Sequence, residues 1–304
     1  MISIILPAFK SDYLAATIQC LLNQTYRDYE LIIVNDNPGS SIRSIVTNFK
    51  DDRIKYYENV ENIGGKNLIL NWNNCLRRGT GEFILFASDD DLYDPDYLQT
   101  MFDLIIKYPK VDLFHCRIKY FDNEGKILQL SQPAAEYETC VDFVYQRLFW
   151  RRKQALQEFI FRRKALEEID GFVDFPVAWY TDDATLSLLS RNGVAYSSKA
   201  MFHMRMSGQN ISTGNTNIKP KMEAMKQYAE WLSYYLPSII TQNEEDCFMK
   251  EMLLREYRNI LFDQYNIYLP HLSIKDYVKE ALYIKKNKIL PITILVKMFF
   301  KRIL

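Results

Sequence analysis

Three consecutive aspartates, Asp89, Asp90 and Asp91, follow the apolar run of EFILFASDDDLYDP. Carboxylates this close repel one another, and their charge is costly beside an apolar segment unless a cation or polar partner meets it. The chemistry such a row serves is binding of a hard divalent cation, Mn2+ or Mg2+, which takes one or two carboxylates together with substrate phosphates. The plain alternative is a solvated acidic turn, in which Asp94, before Pro95, reads as the cap of the next helix. A second acidic element is the pair Asp182–Asp183 in AWYTDDATLSLL. Helix capping is the ordinary role for such residues. The chemical role is general base, because adjacent carboxylates raise each other's pKa toward neutrality. A single acid, Asp36, closes ELIIVND.

The elements that must position these acids are legible in the first third of the chain. ISIILPA is a continuous apolar run closed by a proline, as in a strand buried on both faces. ELIIVND, IKYYEN and EFILFAS read as further strands, and the segments between them carry apolar residues at helical spacing. This β-α-β-α alternation predicts an α/β fold with a mostly parallel sheet and helices on both faces. Ligands of such sheets bind beyond the carboxyl ends of the strands, so Asp36 and Asp89–Asp91 are expected along one edge. After Val111 the pattern loosens. DLFHCRIKYFDNEGKILQL reads as two strands around an Asn-Glu-Gly turn, QEFIFRRKALEEIDGF as strand then helix, and DDATLSLLSRNG as a helix ended by Gly193. Beyond Asn217 the pattern is mainly helical.

Composition narrows the class of molecule. The 304 residues are 48% hydrophobic and carry 38 basic and 38 acidic side chains, which argues against a nucleic-acid binder. The five cysteines are scattered and form no C-x-x-C pair, so neither a disulfide framework nor a zinc site is expected and a reducing cytoplasm fits best. MISIILPAFK lacks the basic start and cleavage site of a signal peptide, and no apolar run is long enough to span a bilayer. Charge is uneven, however: residues 275–304 hold eight Lys/Arg against two Asp/Glu. Within that basic tail, Lys297 and Lys301 are spaced i,i+4 beside Ile292, Leu295, Met298, Phe299 and Ile303. Such a helix fits peripheral contact with an anionic membrane surface, and equally well packing on the core with its lysines in water.

The segments SIILPAFKSDYLAATIQCLLNQTYRDYELIIVNDN and ENIGGKNLILNWNNCLRRGTGEFILFASDDDLYDPDYL resemble the family-2 glycosyltransferases of the GT-A fold. The resemblance is dense over residues 1–100 and continues more thinly through GFVDFPVAWYTDDATLSLLSRNG and FHMRMSGQNIS. It implies a glycosyltransferase domain over 1–216, followed by a helical extension, 217–304. In that pattern Pro7, Ala8 and Lys10 surround the nucleotide base and ribose, and Asp36 binds base or ribose. Asn62, Gly64 and Lys66 pass near the nucleotide. Asp89 and Asp91 are the first and last acids of a D-x-D motif, with Asp91 holding the metal, Asp89 nearer the ribose, and Asp90 counted with the nucleotide side. Arg205 matches a residue that closes over the diphosphate, where a guanidinium suits phosphate oxygens. His203 is a further candidate for the metal shell. The TDD element resembles a T-E-D motif whose last acid is the general base. That points to Asp183, with Asp182 standing where Glu is usual and the choice between them open.

The implied activity is metal-dependent transfer of a sugar, with inversion, from a nucleotide-diphosphate donor to an acceptor hydroxyl on a saccharide or lipid-linked saccharide. Surface polysaccharide or glycolipid assembly, on the cytoplasmic side and peripheral to the membrane, is the expected setting. A nucleotidyltransferase would use a similar sheet but a Gly-rich phosphate loop, and LPAFKSDY has no glycine. A non-catalytic nucleotide-sugar-binding protein would keep Asp36 and the aspartate row without needing Asp183. A hydrolase with paired carboxylates matches the strand-end acids poorly.

Overall fold

A computed structural model of the chain describes residues 1–207 and 217–286. The expected basic tail falls largely in 287–304, outside the described residues. The chain divides into two compact units, one of Met1–Asp174 with Thr181–Gly214 and one of Phe175–Tyr180 with Asn215–Leu304.

The first unit is built on a sheet whose strands begin with β1 (Ile2–Ala8) and continue, in chain order, through α1 (Leu14–Leu22), β2 (Tyr29–Asn35), α2 (Ile42–Thr47), β3 (Ile54–Glu58), α3 (Leu68–Leu76) and β4 (Phe83–Phe86). These strands lie side by side as β3-β2-β1-β4 and are parallel. Their apolar runs are explained by position: Ile2, Ile4, Ile5 and Leu6 of β1 and Leu31, Ile32 and Ile33 of β2 are fully buried. Each such side chain contributes roughly 1.5–3 kcal/mol relative to exposure. A short β5 (Leu92–Tyr93), α4 (Tyr97–Lys107), β6 (Leu113–Phe121), β7 (Ile127–Leu130), β8 (Tyr137–Glu138) and α5 (Cys140–Leu148) follow. Then come β9 (Phe159–Arg162), α6 (Arg163–Glu167), α7 (Thr181–Leu189) and β10 (Val194–Arg205). The antiparallel β9 sits between β4 and β6, and β10 runs parallel to β6. Two antiparallel steps restore direction, so β1, β2, β3, β4, β6 and β10 all point their carboxyl ends at one edge. The expected hairpin is β6–β7.

Three elements differ from the sequence expectation or escape it. The helix after the aspartates is not capped by Asp94. Its cap position is Asp96, without a side-chain bond, while the buried Gln24 accepts from the Leu98 N–H at 2.9 Å and donates to the Asp94 carbonyl at 2.8 Å. The Asp94 carboxylate is thereby released to meet His203, 2.9 Å away. α5 went unseen because CVDFVYQRL carries apolar side chains around most of its circumference. The long β10 was hidden because its pairing with β6 shifts between Ser197 and Phe202, which breaks the two-residue alternation.

The second unit contains α8 (Ile218–Ser238), α9 (Glu244–Tyr268) and α10 (Ile274–Lys286). Leu232, Leu236 and Leu253 are fully buried in it. Asn243 caps α9 by accepting from the Asp246 N–H at 2.7 Å, and Glu244, Glu245 and Asp246 suit the positive end of that helix. Among the described residues no helix is long and apolar enough to cross a membrane.

Candidate active site

The aspartate row is gripped by three separate pieces of the first unit. Asp89 Oδ2 accepts from the backbone N–H groups of Phe9 and Lys10 at 2.8 and 2.7 Å. These belong to the loop leaving β1, so the first strand fixes the end of the fourth. Asp91 Oδ1 accepts from the Arg205 backbone N–H at 2.8 Å, its other oxygen from the Ser88 hydroxyl, and its carbonyl from Thr17 Oγ1 at 2.9 Å. The Arg205 side chain donates to the Asp90 carbonyl at 3.0 Å. Its guanidinium lies between the rings of Tyr13 and Phe121, 3.9 and 4.5 Å from their centroids. β10 therefore docks its last residue directly on the row.

Charge in this row is unbalanced. Asp89, Asp90 and Asp91 are all buried. Among the described residues two cations meet them: the Lys10 ammonium, which pairs with Asp90 and lies 3.7 Å from Asp89, and the Arg205 guanidinium on the Asp90 carbonyl. Burial pushes the Asp91 carboxyl up to about 7, and Asp90 adds to the rise. Burial also raises Asp89, against the two backbone donors. An oxygen-only set with a surplus of negative charge is the donor chemistry a hard divalent cation requires, so these residues fit Mn2+ or Mg2+. Among the described residues no group of three or more His, Cys, Asp or Glu is arranged to hold an ion alone. His203 Nε2 is met by Asp94 and by Lys119 Nζ, each at 2.9 Å, and burial lowers its pKa.

Along the same edge, Pro7 and Ala8 end β1, and the Ala8 carbonyl accepts from the Asp36 N–H at 2.8 Å. The buried Asp36 carboxylate organises the loop that follows β3. It accepts from Asn59 Nδ2 at 2.7 Å, from the Ile63 N–H at 2.9 Å and from the Gly64 N–H at 2.8 Å. A Cβ on Gly64 would lie 2.7 Å from Asp36 Oδ2, so glycine is needed for this close approach. Asn62 turns inward on the loop, accepting from the Gly65 N–H at 2.6 Å. Lys66 pairs at the surface with Glu61 at 2.6 Å. The structure thus joins Asp36, Asn59 and Gly64 in one bonded unit, with Lys66 turned toward Glu61.

The acid pair opens α7 and is held by residues that the sequence did not single out. Arg147, in the last turn of α5, grips Asp183 with two nitrogens, Nε on Oδ1 and Nη2 on Oδ2 at 3.1 Å. Gln154 adds a bond to Oδ1 at 3.3 Å. Asp183 is buried and Asp182 partly so. Burial, with Asp183 beside it, pushes the Asp182 carboxyl up to about 7, against the pull of Arg147. Arg147 is also near enough to Tyr120 to act against the burial that raises that phenol. Tyr120 lies at the carboxyl end of β6 and pairs in register with Met204, beside Arg205. The segment QRLFWRRKQ, which supplies Arg147 and Gln154, shows dense cationic and aromatic residues but no motif that spacing alone would flag.

Comparison with known proteins agrees with this architecture. The model of the family described as glycosyl transferase family 2 matches residues 3–172. A Campylobacter jejuni GalNAc(5)-diNAcBac-PP-undecaprenol beta-1,3-glucosyltransferase is 39% identical over 93 residues, 30% of this chain and 29% of its own length. An Escherichia coli protein, the UDP-Glc:alpha-D-GlcNAc-diphosphoundecaprenol beta-1,3-glucosyltransferase WfgD, is 30% identical over 108 residues, 35% of this chain and 42% of its own length. The matched region thus spans less than half of these curated relatives. Among solved structures, S. aureus TarS 1-349 in complex with UDP-GlcNAc superposes with a TM-score of 0.71 at 18% identity, covering 93% of this chain and 78% of that one. The Pyrobaculum calidifontis mannosyltransferase PcManGT, in complex with GDP-Man and Mn2+, gives 0.55 at 15% identity, covering 99% and 84%. These likenesses establish the fold as GT-A-like, and since the family match takes in more than half of the residues, the chain belongs to glycosyl transferase family 2.

Proposed function

We propose that this protein is a metal-dependent, inverting glycosyltransferase that moves a sugar from a nucleotide-diphosphate donor to an acceptor hydroxyl. The observation that carries this reading is the aspartate row at the strand ends, three buried carboxylates gripped by the β1 loop and by Arg205 and met by the two cations Lys10 and Arg205. Asp91 and Asp89 would hold Mn2+ or Mg2+, which supplies neutralisation of the charge that develops on the departing diphosphate. Asp36 keeps the loop carrying Asn62 and Gly64 in shape beside the nucleotide. Lys10 and Arg205 add fixed positive charge near the phosphates. Asp182 and Asp183 supply the base that takes the proton from the acceptor hydroxyl as it attacks the anomeric carbon. A positioned base contributes about 10²–10⁴-fold in rate. Inversion follows from a single displacement with no enzyme-bound sugar.

The names of the relatives and of the TarS complex support UDP-sugars as the first donors to try, and a lipid-linked saccharide as the acceptor class. Peripheral contact with a membrane is the corresponding location. The test is thermal shift with UDP, GDP and their sugars, with and without Mn2+, on wild type and Asp91→Ala. A site filled at 100 times Kd stabilises by about 2.7 kcal/mol. Metal-dependent stabilisation that vanishes in Asp91→Ala supports the reading. A folded protein that no nucleotide stabilises at saturating metal would leave a family-2 fold without donor binding.

A further inference from the structure

We infer that Trp150 is the platform on which a sugar ring of the acceptor stacks, beside the acid pair. This rests on the transferase reading above and extends it to a subsite. α5 ends in a Schellman arrangement: the Trp150 N–H donates to the Arg147 carbonyl at 3.0 Å and the Arg151 N–H to the Gln146 carbonyl at 2.9 Å. The residue after the cap of such an end adopts left-handed backbone angles, and glycine fills it by default because a Cβ is strained there. Here the position holds a tryptophan, at φ +56°. A bulky residue in that region is a genuine outlier, and its side chain is not kept for the core, since Trp150 remains 47% exposed.

What that indole does touch is the clamp of the acid pair. The Arg147 guanidinium lies 4.7 Å from the Trp150 ring centroid and holds Asp183 with two nitrogens. Indole and carboxylate are therefore linked through one guanidinium, which faces Trp150 and bonds Asp183. A tryptophan presents a large, rigid, electron-rich face, and the C–H bonds of a pyranose suit such a face through weak contacts that bury its apolar side. A saccharide ring resting there would lie beside the Arg147 clamp that holds Asp183. The guanidinium behind the ring strengthens the arrangement by keeping the indole from turning.

Octyl glucoside and octyl N-acetylglucosaminide, below their micellar concentrations and with octanol as the purely apolar control, are the probes. Their binding to the full chain in saturating UDP and Mn2+ is measured by calorimetry for wild type and for Trp150→Gly, Trp150→Leu and Trp150→Phe. Trp150→Gly places the favoured residue at the left-handed position, so its melting temperature should be equal to or above that of wild type. The expected result is glycoside affinity at least about tenfold weaker in the Gly and Leu variants, with partial rescue by Phe and the UDP affinity moving less than about twofold. Wild type that binds no glycoside, or Gly and Leu variants that bind as wild type does, would overturn the subsite. Cleavage of UDP-sugars by wild type is followed in parallel. Cleavage with Trp150-independent glycoside binding removes only the platform, whereas Trp150-dependent binding without any cleavage removes the transferase reading.

Discussion

Replacing Arg147 by leucine strands the Asp183 carboxylate. In the native chain the Arg147 and Asp183 side chains are 16% and 6% exposed, and the guanidinium contacts both carboxylate oxygens. Leucine keeps the apolar part of the arginine stem and leaves Asp183 with the single 3.3 Å bond from Gln154. Removing one partner of a buried pair costs about 3–5 kcal/mol, because the remaining charge is uncompensated. The residual exposure of Arg147 favours the lower figure, about 3 kcal/mol. For a folding unit of roughly 200 residues this lowers the melting temperature by about 6–12 °C. The cost belongs to the stranded charge, so adding Asp183→Asn to Arg147→Leu should recover about 2 kcal/mol. Urea unfolding followed by circular dichroism at neutral pH reads both the loss and the recovery. A loss below about 1 kcal/mol at neutral pH, or a double variant no better than the single, would refute the reasoning.

Three further expectations follow from the same geometry. Because a base must be ionised and Asp182 is pushed up to about 7 by burial and Asp183, turnover should rise with pH through that region. Asp182→Asn should remove the limb and cut kcat by about 10²–10⁴; a wild-type rate that is flat from about pH 5 to 8 speaks against Asp182 titrating in catalysis. Asp36→Ala leaves the Ile63 and Gly64 N–H groups without their acceptor, at a cost of about 1–3 kcal/mol, and should weaken nucleotide binding more than it changes kcat. Equal nucleotide affinity in the variant would detach that loop from the donor site. Finally, burial works to raise Glu30, yet Lys55, Ser3 and Thr80 together hold it down to about 2. A carboxyl lowered by folding contributes stability above its unfolded pKa of about 4.3, and that contribution is lost as the pH falls toward 2. Glu30→Gln should flatten acid unfolding in that window, and an unchanged acid limb would remove Glu30 from the account.

The parallel half of the sheet is readable in the sequence because buried strands must be apolar without interruption. Ile2–Ala8, Tyr29–Asn35 and Phe83–Phe86 each declare themselves in that way. Their strand ends, with Asp36 and the aspartate row, follow from topology alone. What the sequence leaves dark is made by distant partners. Ser88, Thr17 and the Arg205 backbone bind Asp91, but only the antiparallel pairing of β10 with β5 brings Arg205 there. Arg147 and Asp183 are separated by 36 residues, and no local pattern marks either as the other's partner. Asp94 is instructive in the opposite direction. Its Asp-Pro setting reads as a cap, yet Gln24, 70 residues earlier, takes over that helix start and Asp94 turns to His203. Local propensity yields where a buried polar side chain from elsewhere satisfies the same groups.

The central claim is that the aspartate row and the acid pair cleave a nucleotide sugar and transfer its glycosyl group. Its most direct test is release of nucleoside diphosphate from a panel of UDP- and GDP-sugars in Mn2+, by wild type, Asp91→Ala and the double variant Asp182→Asn/Asp183→Asn. The account predicts release by wild type on at least one donor, and a loss of about 10²-fold or more in each variant. Each variant should remain folded by circular dichroism. Release that persists undiminished in Asp91→Ala, or wild type that binds a nucleotide sugar and never cleaves it even with octyl glycosides present, would contradict it.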